Sequence, residues 1–209
     1  MSGGGLRYGR YTVDGREEWL AATGEDDAPT LLFLPPLFEE LNRTRALLVA
    51  TMRDLAAKGW RCVLPDLPGT GESETPLETV EWRHWRDAAT AAARGVTASV
   101  SLRGGALLDD VAPRRWRLAP AAGAVLVRDL ERSGLFGAGG GYTPSPSLLE
   151  ALRAATPQGE ARTARLESDP SPADIRFDAA TLWRRSEPAS APALASAIAA
   201  DIAAWLGDA

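Results

Sequence analysis

The sequence is poor in several residues on which protein chemistry often depends. Cys62 is its only cysteine, so an intramolecular disulfide and a cysteine-based metal cluster are both excluded. His84 is its only histidine, which removes the usual Cys/His zinc site, and neither a metal nor a cofactor is expected. Basic residues are also in deficit, 23 against 28 acidic ones, for a net charge of −5. An acidic chain with no basic run and no nucleic-acid-binding motif is not expected to bind DNA or RNA. No apolar run is long enough to span a membrane, and the opening MSGGGLRYGRYTVDG lacks the apolar core of a signal peptide. These absences lead to the expectation of a cytoplasmic protein without a membrane span, for which a homodimer remains open.

What is present suits one globular domain. The 209 residues are 45% hydrophobic and 24% charged, and no long linker divides them. Residues 1–5 are expected to be disordered and the Gly/Pro/Ser-rich stretch 137–147 to be a flexible loop, either a lid or a surface connection. Near the start, Asp14-Gly15 separates two short runs, 7–13 and 17–23, and predicts a β-hairpin. TLLFLPP (30–36) is continuously apolar, as a strand buried on both faces would be, and WRCVLPDL (60–67) follows as the next strand. Between them, Leu48, Met52 and Leu55 recur at helical spacing within 42–58, and Gly59 supplies the stop.

A second helix is expected over 80–93, then VTASVSL as a strand and GGALLDDV as a helix. RRWRLAP and ARTARLES offer further strands, with helices over AVLVRDLERSGL and SLLEALRAAT, and the chain closes with DIRFDAATLW and an Ala-rich helix. Strands alternating with helices after an N-terminal hairpin predict an α/β fold with a mostly parallel sheet.

The order of these elements resembles the α/β-hydrolase fold, with a cap that is minimal or absent. LPDLPGTGES (64–73) matches the D-x-x-G-x-G-x-S segment such hydrolases often carry after the fourth strand. Five segments in order resemble a narrower group: LPPLFEELNRTR, LPDLPGTGES, the Trp82/Trp85 pair, SLRGGALL and AGGGYTPSPSLLEAL. That group is the exosortase A (PEP-CTERM) system-associated hydrolases of the ortholog 2 type, and the resemblance spans about residues 30–206. It implies a bacterial setting tied to exopolysaccharide and protein-sorting loci.

A triad hydrolase needs a nucleophile in G-x-S-x-G, then an acid, then a histidine near the C-terminus. Here the aligned pentapeptide is Ser101-Leu102-Arg103-Gly104-Gly105, with arginine where the serine should stand. Ser99 and Ser101 lie on the strand side of the corner without flanking glycines. His84 falls before the corner strand, where packing beside Trp82 or Trp85 or facing solvent suits it better than catalysis. The Ser-His-Asp mechanism is therefore excluded by inventory and by chain order.

Arg103 cannot attack a carbonyl and stays protonated at neutral pH, but its planar fork suits a carboxylate or phosphate. Two readings follow: Arg103 and Gly104 hold an external anion, or Arg103 pairs internally with Glu39, Glu40 or Asp66. One of Glu39 and Glu40 is the best remaining candidate for a general acid or base. Asn42 and Asp66 join the ligand-binding candidates, although Asn42 is equally suited to capping the next helix. PGTGES lacks the lysine of a phosphate-binding P-loop, so nucleotide binding is not expected. The tryptophans read as core anchors, with Trp82 and Trp85 packing toward the Trp60 strand.

The expected function is an anionic small-molecule or carrier-binding pseudoenzyme, or a hydrolase working without a triad. A scaffold within an exopolysaccharide or protein-sorting system is the alternative.

Overall fold

A computed structural model describes residues 5–137, 141–185 and 187–207. Residues 1–4 and 138–140, parts of the two stretches expected to be disordered or flexible, lie outside the described residues. The hairpin pairs β1 (Arg7–Val13) with β2 (Arg16–Thr23) in antiparallel register, closing at Val13 opposite Arg16. Its two-residue turn puts both Asp14 (φ 48°) and Gly15 (φ 74°) in the left-handed region. That requirement is why Asp-Gly marks such turns. The remaining strands are β3 (Thr30–Leu34), β4 (Arg61–Pro65), β5 (Ala98–Leu102), β6 (Arg115–Leu118), β7 (Arg162–Leu166) and β8 (Ile175–Phe177).

These strands form one sheet in the order β1-β2-β4-β3-β5-β6-β7-β8. β2 alone runs against the others, pairing antiparallel with both neighbours, while every pair from β4 to β8 is parallel. This is the strand order and polarity of the α/β-hydrolase fold. Only residues 119–122 connect β6 to the next helix, so no cap domain is inserted there.

Helices cover both faces of the sheet. α1 (Glu39–Ala56) and α5 (Pro192–Gly207) lie on one side, where Leu48, Met52, Ile198 and Ile202 meet Leu31, Phe33, Val100 and Trp116. α2 (Trp82–Ala92), α3 (Gly123–Arg132) and α4 (Pro146–Ala154) cover the other side, where Trp85, Val127 and Leu152 meet Leu32 and Leu34. Alternate residues of β3 thus enter different layers, and Leu31–Leu34 must be apolar at every position rather than every second one. Trp85 and Trp60 belong to opposite layers, so the tryptophan pair does not meet Trp60 itself, but it packs in one layer with Val63 of the strand that follows Trp60. Trp85 donates its indole N–H to the Pro68 carbonyl at 2.8 Å and meets Trp82 edge-on and Phe38 at a tilt.

The expected helix over GGALLDDV does not form. Two short 3₁₀ turns, Arg103–Leu107 and Asp109–Val111, take its place. Two adjacent glycines weaken an α-helix, and Gly105 packs so tightly on β3 that an added Cβ would lie 2.1 Å from the Leu34 carbonyl oxygen. The second turn swings Asp109 under the sheet, where Arg117 of β6 grips its carboxylate with two hydrogen bonds of 2.8 Å. Ser101 of β5 donates to the same carboxylate at 2.8 Å.

Candidate functional site

The site lies at the carboxyl ends of the parallel strands, where backbone strain is concentrated. Phe38 follows β3 with φ 56°, Arg103 follows β5 with φ 51°, and Ala119 follows β6 with φ 46°. Residues other than glycine adopt such angles only when surrounding structure holds them there, and they gather at functional centres. At Arg103 the chain turns sharply from β5 into a 3₁₀ turn, with the guanidinium at the corner.

α1 begins one residue after the strained Phe38, and adjacent positions on a helix diverge by about 100°. Glu40 therefore faces Arg103 while Glu39 faces elsewhere. Arg103 donates from Nε to both Glu40 oxygens at 3.2 Å and from Nη2 to Oε1 at 3.1 Å. Its Nη1 donates to the Ala119 carbonyl at 3.4 Å, and the guanidinium lies 5.2 Å from the Trp183 ring centre. Burial pushes the Glu40 carboxyl above its ordinary range, while Arg103 pulls it back. Held on both oxygens, Glu40 is poorly placed to take a substrate proton.

Glu39 and Asn42 form a second, wetter cluster. Asn42 donates to Glu39 at 3.0 Å, and the Tyr142 hydroxyl donates to Glu39 at 3.2 Å. Burial and the Glu39 charge push the Tyr142 hydroxyl up to about 12. Asn42 sits inside α1, so it is not the helix cap.

Asp66 stands apart from Arg103. It accepts from Arg45 at 2.9 Å and from the Glu72 N–H at 3.0 Å. A Cβ on Gly71 would fall 2.3 Å from the Asp66 carboxylate, so PGTGES is a turn folded around an aspartate. Burial raises the Asp66 carboxyl, opposed by the Glu72 N–H and by Arg45. Gly104 faces Leu126 and Leu37, where a Cβ would meet the former at 2.5 Å, and it lines neither cavity beside Arg103.

The two other residue types considered for chemistry are engaged structurally. The His84 Nδ1 accepts the Glu81 backbone N–H at 3.0 Å, so the ring closes the first turn of α2. Ser99 and Ser101 are fully buried, with Ser99 donating to the Asp109 carbonyl and Ser101 to its carboxylate. Among the described residues, no group of three or more His, Cys, Asp or Glu is placed to hold a metal ion.

Sequence reasoning missed the other walls of the cleft. The corner after β5, the loop after β7 and the loop after β8 meet at the carboxyl ends of the strands. Here they contribute Arg103, then Ser168 and Asp169, then Thr181, Trp183 and Arg184, around a cavity of about 250 Å³. Asp169 is already engaged. Arg165 donates to it at 2.5 Å and the Ser171 N–H at 3.0 Å. Burial pushes its carboxyl up, but these donors prevail and hold it at about 2. Arg184 makes no hydrogen bond or ion pair through its side chain among the described residues, and it supplies the cavity's uncompensated charge.

A second cavity of about 310 Å³ lies across the ion pair. Leu37, Phe38, Leu126 and Leu130 are among its walls, and it shares Trp183 and Arg184 with the first. Glu40 lines this cavity and Arg103 the other, so the ion pair and the Trp183 indole form the partition.

No protein-family model matches the chain, and no curated protein matches it. Among solved structures it is similar to an epoxide hydrolase from Vigna radiata, with 22% identity over 55% of this chain and 40% of that one, at a TM-score of 0.44. A mutant epoxide hydrolase from Solanum tuberosum is 25% identical over 55% of this chain and 40% of its own, at a TM-score of 0.43. The chain thus spans about two fifths of the length of the enzymes it resembles. No helix among the described residues is long and apolar enough to cross a membrane.

Proposed function

We propose that this chain is a triad-free protein of α/β-hydrolase fold that binds a small anionic molecule in the cleft between Arg103 and Arg184. We further propose that it belongs to the exosortase A-associated group whose five segments its sequence resembles, and that it acts in the cytoplasm. The observation that carries the binding reading is the cleft's charge balance. Arg103 is neutralised by Glu40 and Asp169 by Arg165, which leaves Arg184 as surplus positive charge beside the Ser168 and Thr181 side chains. A carboxylate or phosphate is the natural complement to that arrangement. Binding is favoured over triad-free hydrolysis because Glu40 is clamped on both oxygens and Ser101 is buried against Asp109.

Calorimetric titration with inorganic phosphate tests this reading. Wild-type protein should show saturable binding, and Arg184→Ala should weaken it by about tenfold, the effect of one charge-assisted contact. Equal heats from the two proteins would contradict it. In a parallel assay on short acyl esters, turnover abolished by Ser101→Ala would show a serine hydrolase instead.

The internal pairing of Arg103 also suits a scaffold role without a ligand. Against it, the large exposed apolar side chains among the described residues are Tyr8 on β1 and Phe136 after α3, too few to make an extensive docking patch.

A further inference from the structure

Two cavities of different character meet at one residue pair. The cavity of about 250 Å³ is polar in its walls, with Arg184, Ser168 and Thr181, while that of about 310 Å³ has an apolar floor of Leu37, Phe38, Leu126 and Leu130 within otherwise largely charged walls. Trp183 and Arg184 line both, so a molecule seated on Arg184 is within reach of the apolar floor. Resting on the anion-binding reading, we infer that the occupant is a single-chain amphiphilic anion, an alkyl phosphate or alkyl carboxylate of short chain. Its head sits at Arg184 and its tail in the apolar cavity.

Size and charge both restrict the ligand. At about 310 Å³ the tail cavity lies at the lower end of ligand-site volumes, which admits a short chain and rejects a long one. The acids around it are compensated in part: Glu40 by Arg103, Glu39 by Asn42, Tyr142 and Arg43, and Asp129 by Arg128 at 3.5 Å. Arg132 adds another cation to its lining. A neutral or cationic amphiphile would gain nothing from Arg184 and Arg132, so the head must be anionic. The Arg103–Glu40 pair then serves as the polar floor beneath the junction.

The test is a titration series of inorganic, butyl, octyl and hexadecyl phosphate below their micellar concentrations, with butanoate and octanoate separating the two head groups. Affinity should rise by at least about tenfold from inorganic to octyl phosphate as methylenes leave water, then fall for hexadecyl phosphate. Leu135→Asp, at the half-buried edge of the tail cavity, should abolish the gain of octyl over inorganic phosphate. Leu135→Phe should move the optimum to a shorter chain without adding charge.

Phosphate binding with no dependence on chain length would overturn the amphiphile and leave the anion cleft standing. A chain-length gain that survives Leu135→Asp would also overturn it, by placing the tail elsewhere. Absence of any phosphate or carboxylate binding would defeat the cleft reading itself.

Discussion

Replacing Arg103 by methionine removes the guanidinium but keeps an unbranched apolar stem, and it isolates the Glu40 carboxylate. The pair is nearly enclosed, with side-chain exposures of 11% for Arg103 and 15% for Glu40. Removing one partner of a fully buried pair costs about 3–5 kcal/mol, because the other charge is left without compensation. The remaining solvent contact lowers that here to about 2–3 kcal/mol. Substituting Glu40→Gln as well removes the stranded charge, so the double variant should recover more than half of the loss.

The pH dependence gives an independent check. Burial already raises the Glu40 carboxyl in the folded protein, and loss of Arg103, which lowers it, would raise it further. The folded state then keeps a proton that the unfolded chain releases above its ordinary value of 4.5, so stability falls as pH rises past that point. The penalty of Arg103→Met should be largest at neutral pH and shrink below 4.5, as read by urea unfolding of all four proteins in the mutant cycle. A single variant within about 0.5 kcal/mol of wild type, or a double variant no better than the single, would refute the paired-charge account.

Other positions give sharper or smaller effects. Arg117→Met should destabilise the fold by about 3 kcal/mol in chemical denaturation, because Asp109 loses both of its guanidinium hydrogen bonds inside the protein. Ser101→Ala, which removes a single donor to that carboxylate, should cost about 1 kcal/mol. Gly105→Ala drives a methyl group into the Leu34 carbonyl and should cost about 2–3 kcal/mol, seen as a lowered melting temperature. Asp169 titrates lower in the folded protein than in the unfolded one, so its contribution is complete above 3.8 and is lost as pH falls toward about 2. Asp169→Asn should flatten the acid limb of the stability profile by less than about 2 kcal/mol, since the side chain is 30% exposed.

The elements with strong local chemistry were legible in the sequence. Asp14-Gly15 announced the hairpin because its turn demands two left-handed residues, and TLLFL announced a strand buried on both faces because its last four positions are all apolar. GGALLDDV misled because its leucines suggest a helix, whereas the position of Asp109 is decided by Arg117, on a strand that pairs beside β5. The choice between Glu39 and Glu40 depends on the residue at which α1 starts, and an N-terminus at the strained Phe38 carries no side-chain cap to mark it. Asp169, Trp183 and Arg184 were missed for a different reason. Each is unremarkable in its own segment, and only the parallel alignment of β5, β7 and β8 brings those segments to one cleft.

The most direct measurement follows the Trp183 indole N–H in proton–nitrogen correlation spectra during titration with inorganic phosphate. Trp183 divides the two cavities, lies 5.2 Å from the Arg103 guanidinium and adjoins Arg184. The account predicts a saturable shift of this resonance that is lost in Arg184→Ala and accompanied by no movement of the Trp60 indole, which precedes β4 at the amino ends of the parallel strands. A Trp183 signal that stays fixed while phosphate binds, or an unchanged response in Arg184→Ala, would contradict it.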